Sequence, residues 1–120
     1  MTDFMPHKTR AEAAYARFME LAADLAMSED AAVDYAYEFG VETKDTTRKA
    51  VKQWFARQTI PPFAVFNIAS AMGIDVGWLG GFNRISKEKA IHKGGYYQRE
   101  LERIGRIRAE IAAKNPRKRA

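Results

Sequence analysis

The segment from residue 46 to residue 82 constrains the fold more than any other part of the chain. Its sequence, TTRKAVKQWFARQTIPPFAVFNIASAMGIDVGWLGGF, gives a short cationic stretch, a Pro-Pro pair, a strongly apolar stretch and a Trp-Leu turn that ends in glycine. Proline is tolerated in the first turn of a helix but not in its interior, and glycine commonly follows the last turn. The positions of these prolines and glycines predict two short helices and an all-α fold.

Two further helices are predicted before this segment. Between Lys8 and Met27, apolar side chains recur at steps of three and four residues, while charged side chains mostly take the other side. The first helix is therefore expected to be amphipathic, with one buried face. Ser28, followed by two acidic residues, is typical of an N-cap, and we expect the second helix to run to Phe39 and to stop at Gly40.

The cationic helix is expected to run from about residue 47 to residue 58. Val51, Trp54 and Phe55 share one of its faces at helical spacing, and we expect that face to point into the core. Short polar side chains that commonly cap a helix precede it, at Asp45, Thr46 and Thr47. Of these we favour Thr46 as the N-cap.

The apolar stretch after the Pro-Pro pair predicts most of the remaining core. Pro61 and Pro62 open its helix, and Gly73 is expected to end it. Asp75 is expected to cap a last short turn that continues to Leu79. The residues predicted to supply core from this helix are Phe63, Phe66, Ile68, Ala69 and Met72.

This order of features resembles the second half of the Cro and phage-repressor (XRE-type) helix-turn-helix DNA-binding family. The resemblance, over about a third of the chain, is carried by the inward Val51 and Trp54, by Pro61, by the ridge Ile68, Ala69 and Met72, by the exit Gly73 and Ile74, and by the turn Trp78, Leu79 and Gly80. The chain departs from the family before this segment. Nine residues separate Val41 from Val51, about five more than the usual tight turn allows, with Glu42 to Asp45 as the apparent insertion.

The resemblance implies a small helical bundle with a lambda-repressor-like helix-turn-helix over residues 1–82. It ends at the Gly80-Gly81 pair, and the rest of the chain has no counterpart in the family. Residues 83–120 are therefore predicted to form a basic helical C-terminal extension, with a role in oligomerisation and a flexible tail.

The outward side of the cationic helix carries the residues predicted to read DNA. The major groove admits one helix, and the residues near the helix N-terminus reach the base edges. Arg48 and Lys49 can donate to guanine O6 and N7, and Gln53 can pair with adenine N6 and N7; the resemblance implies the same three base contacts. The other predicted DNA-binding residues are Thr46, Thr47, Lys52 and Arg57, with Thr47 and Lys52 better placed for phosphates. The alternative for each is an ordinary solvated residue.

Charge is distributed unevenly along the chain. Residues 1–41 carry three basic and eight acidic side chains, residues 42–83 carry five and three, and residues 84–120 carry twelve and four. A basic second half on an acidic first half is typical of a polyanion binder that turns one face toward its ligand. The alternative is a pair of solvated faces without a ligand.

A strong helix is predicted over residues 96–114, after a weaker one over residues 86–93. It bears a narrow apolar stripe at heptad-like spacing, formed by Tyr97, Leu101, Ile104 and Ile111 with Ile107 beside them. The stripe predicts a dimerisation surface for a second copy, because helix-turn-helix proteins pair DNA half-sites through two-fold symmetry. The alternative is that this helix folds back on its own domain. Pro116 is expected to end it and to leave Arg117–Arg119 as a cationic arm.

Composition argues against several other classes of protein. The 120 residues include no cysteine and two distant histidines, His7 and His92, so we expect no disulfide, metal or cofactor. No Gly-rich phosphate loop and no nucleophile with a base is recognisable, so we expect no enzyme activity. The first 30 residues lack the form of a signal peptide, and the most apolar window, 60–82, is broken by proline and glycine. We therefore expect a cytoplasmic protein without a membrane span.

The leading hypothesis is a sequence-specific double-stranded DNA-binding transcriptional regulator. Its expected form is a phage- or mobile-element-type repressor that binds a two-fold operator as a homodimer. The alternative is an antitoxin or another protein-interaction module, in which the acidic N-terminal half or the C-terminal helix holds a protein partner and DNA binding is secondary.

Overall fold

The computed structural model describes residues 9–42 and 45–114, and 72% of this part is helical, without strands. In chain order its helices are α1 (Arg10–Asp24), α2 (Glu29–Gly40), α3 (Arg48–Arg57), α4 (Pro62–Met72), α5 (Val76–Leu79), α6 (Lys87–Ala90) and α7 (Tyr96–Lys114). The predicted all-α class is confirmed for these residues. The predicted helix start at Lys8, two residues of the Glu42–Asp45 insertion, Pro116 and the Arg117–Arg119 arm lie outside the described residues.

α1 begins at a reciprocal cap and ends earlier than expected. The Thr9 hydroxyl accepts a hydrogen bond from the Glu12 N–H at 3.1 Å, and the Glu12 carboxylate accepts one from the Thr9 N–H at 3.0 Å. The helix ends at Asp24, and the prediction of Met27 is wrong. The chain leaves the helix because Ala26 takes a left-handed conformation, with φ 59°.

Three other helix boundaries are confirmed together with their capping groups. Ser28 Oγ accepts a hydrogen bond from the Ala31 N–H at 3.1 Å at the start of α2. Asp75 Oδ1 accepts one from the Trp78 N–H at 2.9 Å at the start of α5. Gly73 follows α4 with φ 76°, the left-handed conformation that favours glycine. Two side-chain caps and one left-handed glycine thus determine these ends.

The core lies where α1, α2, α3 and α4 meet. Its largest fully buried side chains are Phe18, Leu21, Val51, Ile60, Ile68, Met72, Ile74 and Leu79. α2 approaches α4 closely at Gly40, its last residue, where an added Cβ would lie 3.0 Å from Ile68 Cγ1. The Gly40 carbonyl also accepts a hydrogen bond from Asn67 Nδ2 at 3.2 Å. A larger residue at this position would require the Ile68 side chain to shift by a few tenths of an ångström, so the helices pack closely at Gly40.

α4 buries three of the five residues predicted for the core, Ile68, Ala69 and Met72, and leaves the other two exposed. Phe66 is 59% exposed and Phe63 is also exposed, whereas both were expected in the core. The residues that α4 does bury are Ala64, Val65, Ile68, Ala69 and Met72. At about 100° per residue, Phe66 lies about 200° from Ile68, so one helix face cannot bury both. Apolar side chains lie on all sides of α4, so hydrophobicity alone does not indicate which face points inward.

The link after α4 packs directly against the link before α7. Ile74 pairs with Ile91 in an isolated antiparallel bridge, beside which the Asp75 N–H donates to the Ala90 carbonyl at 2.8 Å. A Cβ added at Gly73 would lie 2.8 Å from Gly95 Cα, so the two backbones touch. We call this contact of residues 73–75 with residues 90–95 the Gly73–Gly95 seam. Through it, the start of the predicted C-terminal extension shares the core of residues 9–82.

A partly buried polar cluster ties α6 and α7 to the end of α1. Lys87 Nζ lies 2.6 Å from Glu20 Oε2 and 2.5 Å from Asp24 Oδ2, and the Tyr97 hydroxyl donates to Asp24 Oδ2 at 2.7 Å. Burial opposes ionisation of Asp24, but the hydrogen bonds from Lys87 and Tyr97 hold the pKa of its carboxyl below the usual value. Burial and the same hydrogen bond raise the pKa of Tyr97 to about 12. The three charged groups and the phenol therefore act as one clamp, which we call the Lys87 clamp.

Loss of the Lys87 clamp is expected to destabilise the fold moderately. Lys87→Met leaves two carboxylates close together without their cation, and should lower the free energy of unfolding by about 1 to 2 kcal/mol, because the cluster is only partly buried. Chemical denaturation at pH 7 measures this loss, with exposed Lys89→Met as the matched control on the same helix. The contribution of Asp24 should be complete above the pKa of an unfolded aspartate and fall as pH drops through its lowered folded pKa. Equal stability of the Lys87 and Lys89 variants would contradict the assignment.

α7 packs on the rest of the protein mainly through its first turns. Tyr97 is buried and Ile104 is half-buried against the core, whereas most residues beyond Ile104 are exposed. Across residues 9–42 and 45–114, no helix is both long enough and apolar enough to cross a membrane.

Candidate functional site

α3 is held in place by caps at both of its ends. The Thr47 hydroxyl accepts a hydrogen bond from the Ala50 N–H at 3.1 Å, so Thr47 is the N-cap and the preference for Thr46 is wrong. Extended backbone at Thr47 and its link to the third helical N–H fit the usual geometry of a threonine cap. At the other end Gln58 closes the helix with φ 59°. The start and end of the cationic helix are thus fixed to within one residue of the expectation.

The inner face of α3 is aromatic and aliphatic, as predicted for two of its three residues. Val51 and Phe55 are buried, and the Phe55 ring meets the Phe18 ring edge-on at a centroid distance of 6.1 Å. Trp54 is only half-buried and packs edge-on against exposed Phe63 at 5.7 Å. Trp54 therefore borders the exposed side of α3, and its assignment to the inner face is corrected to this intermediate position.

The outer side of α3 is polar and cationic. Its exposed residues with polar side chains are Lys49, Lys52, Gln53 and Arg57. At about 100° per residue, these four span about 140° of the helix circumference, opposite Val51. The helix has four basic residues and no acidic one. Thr47 is exposed beside this face and Thr46 is half-buried, so the structure brings most of the predicted DNA-binding residues to one side of the molecule.

Arg48 differs from the other basic residues of α3 because it has an acidic partner on α2. Arg48 Nε donates to Asp34 Oδ1 at 2.7 Å, and the two side chains are 41% and 63% exposed. No local pattern in the sequence indicates this pair, because the residues lie on different helices, 14 positions apart. Arg48 is thus held at the first turn of α3 by Asp34, a residue that was not among the predicted site residues.

α2 and α3 carry opposite charges on adjoining helices. α2 has the acidic residues Glu29, Asp30, Asp34 and Glu38 and no basic residue. α3 has four basic residues and packs against α2. The cationic face of α3 therefore adjoins an acidic helix, and a polyanion on α3 would meet attraction from one helix and repulsion from the other.

The residues of the predicted stripe on α7 fall into two groups, one packed on the core and one exposed to solvent. Tyr97 lies in the protein's own core and bonds Asp24, so its assignment to a contact with a second copy is corrected. Ile104 is half-buried against the same core. The exposed apolar residues are Leu101, Ile107 and Ile111, at 39%, 41% and 54% exposure. The surface that α7 leaves for a partner is thus narrower than predicted and centred on its second half.

No protein-family model, curated protein or solved structure matches this chain.

Proposed function

We propose that this protein is a sequence-specific double-stranded DNA-binding transcriptional regulator. It belongs, in this proposal, to the Cro and phage-repressor class of helix-turn-helix proteins, in which α2 and α3 form the motif and α3 is the recognition helix. The observation that carries the proposal is the outer side of α3, which combines Lys49, Lys52, Gln53 and Arg57 without an acidic residue. A firmly anchored helix with such a face has the charge and hydrogen-bonding groups that the major groove requires.

The residues of α3 divide by chemistry into base-reading and phosphate-binding groups. Arg48, Lys49 and Gln53 are assigned to base edges, because Arg and Lys donate to guanine and Gln forms paired hydrogen bonds with adenine. Thr46, Thr47, Lys52 and Arg57 are assigned to the phosphate backbone. Phosphate contacts orient the helix on the duplex, and base contacts choose the sequence.

The proposed regulator acts as a homodimer through the exposed part of α7. Leu101, Ile107 and Ile111 lie on one side of this helix and are partly exposed to water. Pairing two such stripes removes apolar surface from water, and each side chain that becomes buried contributes about 1.5 to 3 kcal/mol. A two-fold dimer presents two copies of α3 to a two-fold operator, which is how helix-turn-helix repressors gain length of site and affinity.

A protein-interaction module such as an antitoxin is the second candidate. The exposed aromatic side chains of Tyr37 and Phe39 lie on acidic α2 and favour it, because aromatic residues are enriched where proteins bind each other. In that case DNA binding is secondary, and the purified chain alone binds no defined duplex tightly.

Selection of bound sequences from random DNA duplexes by the purified protein tests the proposal directly. The expected result is enrichment of a two-fold site whose half-sites lie about one helical turn apart, or a multiple of it. If the protein retains duplexes that share no common sequence, sequence-specific regulation is rejected. Failure to retain duplex DNA would favour the protein-interaction module.

Arg48 and Lys52 are expected to differ in what they contribute to DNA binding. Arg48→Ala should weaken binding to the selected site by about 5- to 150-fold, or about 1 to 3 kcal/mol, and should flatten sequence preference. Lys52→Ala should weaken binding to selected and scrambled duplexes by a similar factor, because phosphates carry no sequence. Titrations of both variants on both duplexes measure the difference. Equal losses on the two duplexes for Arg48→Ala would remove it from the base-reading group.

A further inference from the structure

The ion pair between α2 and α3 extends the proposed function to a residue outside the recognition helix. We propose that Asp34 is a positioning residue that sets the sequence specificity of DNA binding by orienting Arg48. This inference rests on the proposed DNA-binding function. It assigns to an acidic residue a role in reading a polyanion, a role that its own charge does not suggest.

The geometry of the pair leaves the two terminal nitrogens of the Arg48 guanidinium available to contact a base. The carboxylate of Asp34 accepts its hydrogen bond from Nε of Arg48, at 2.7 Å. An arginine carries five N–H donors, and the four on its terminal nitrogens form the fork that donates to guanine O6 and N7. Binding through Nε holds the stem of the side chain and keeps that fork for a base. Lysine has no equivalent second attachment point, which makes arginine the suitable residue here.

Folding stability does not account for the pair. Both side chains are well exposed, at 41% for Arg48 and 63% for Asp34. Water and salt screen an ion pair of this kind, so its contribution to stability is small. The pair should instead affect DNA affinity. A side chain that is already ordered before binding loses less conformational entropy when it contacts a base.

The negative charge of Asp34 also acts on DNA directly. It lies beside the first turn of α3, where the helix is proposed to meet the duplex, and it repels phosphates of any sequence. A correct guanine contact by Arg48 offsets this repulsion only at the preferred site. Because this repulsion is similar for every sequence, it lowers binding to all DNA, while the orientation of Arg48 raises the ratio of specific to non-specific binding.

Asp34→Asn separates the two effects, with Glu38→Gln as the matched control. Glu38 lies one turn further along α2, is exposed, and its substitution removes the same single charge. We expect Asp34→Asn to strengthen binding to scrambled duplex and to lower the ratio of selected-site to scrambled affinity by about five- to tenfold, a part of the discrimination that one bidentate base contact provides. Glu38→Gln should change both affinities together and leave that ratio within about twofold.

A double-mutant cycle tests whether Asp34 acts through Arg48. In an Arg48→Ala background, Asp34→Asn should no longer change the affinity ratio, because the side chain that it orients is absent. A merely structural role would lower the melting temperature and leave the ratio unchanged. An unchanged ratio in Asp34→Asn, or the same fall in the ratio with and without Arg48, would overturn the inference.

The outcome for wild-type protein distinguishes this inference from the function on which it rests. Wild-type binding without sequence preference rejects the proposed function, and with it the role of Asp34. A clear wild-type preference that survives Asp34→Asn intact rejects the role of Asp34 alone.

Discussion

Replacement of Ile107 and Ile111 by aspartate is expected to lower the affinity for a two-fold operator by about 10²- to 10⁴-fold, the range that linked binding sites lose when they are separated. Both side chains are partly exposed on the second half of α7, where two copies are proposed to pair. Aspartate at both positions places four like charges in the paired surface, so the dimer should dissociate. Each monomer keeps its α3 but contacts only one half-site.

Sedimentation and circular dichroism together decide this prediction. The double variant should sediment as a monomer at micromolar concentration with unchanged helix content, while wild-type protein sediments as a dimer. Ala109→Asp with Ala113→Asp is the matched control, since it adds the same charge on the opposite side of α7. Ile104 is unsuitable as a test position because it packs on the core. A monomeric wild-type protein would reject the proposed dimer, and an unfolded double variant would show that Ile107 and Ile111 contribute to the protein's own fold.

Salt is expected to change operator affinity by about as much as loss of the dimer. Roughly 5 to 8 phosphate contacts per dimer give a slope of log affinity against log salt of about −5 to −7. Between about 50 and 200 mM salt the affinity should then fall by about 10³- to 10⁴-fold. Titrations at four or more salt concentrations measure the slope.

A phosphate contact removed from each protomer provides the control for the salt prediction. Lys52→Ala should reduce the steepness of the slope by about 2 per dimer, since each lost contact changes it by about 0.9. Gln53→Ala should leave the slope nearly unchanged, because its side chain is uncharged. A nearly flat slope for wild-type protein would point to the protein-interaction module.

Helix boundaries could be predicted from sequence where a local group determines them. Ser28, Asp75 and Gly73 act through hydrogen bonds or backbone conformation within a few residues of themselves, so their effect can be recognised in the sequence. The helix over Tyr96–Lys114 was likewise predictable from its spacing after a glycine pair. The early end of α1 was not, because Ala26 in a left-handed conformation has no recognisable sequence signal.

The faces of helices were less predictable because they depend on what lies opposite. Phe63 and Phe66 are as apolar as the residues that α4 buries, yet the close contact of α2 at Gly40 selects the Ile68 side. The stripe on α7 had the spacing of a partner surface, but Tyr97 at its start fits the protein's own core. The Arg48–Asp34 pair joins two helices, so no spacing rule within one helix could show it.

The Gly73–Gly95 seam fixes the first turn of α7 on the core. In the proposed dimer, the length of α7 from this point therefore sets the distance between the two copies of α3. Its rotational phase is set at the seam, so the direction in which Ile107 and Ile111 point follows from residue count alone. One residue inserted at Gly105 would turn everything beyond it by about 100° and move it by about 1.5 Å. Seven inserted residues would restore the direction to within about 20° while lengthening the helix by about 10 Å. In the proposed dimer, the length of α7 would then set the spacing of the two half-sites, at a distance from the residues that are proposed to contact DNA.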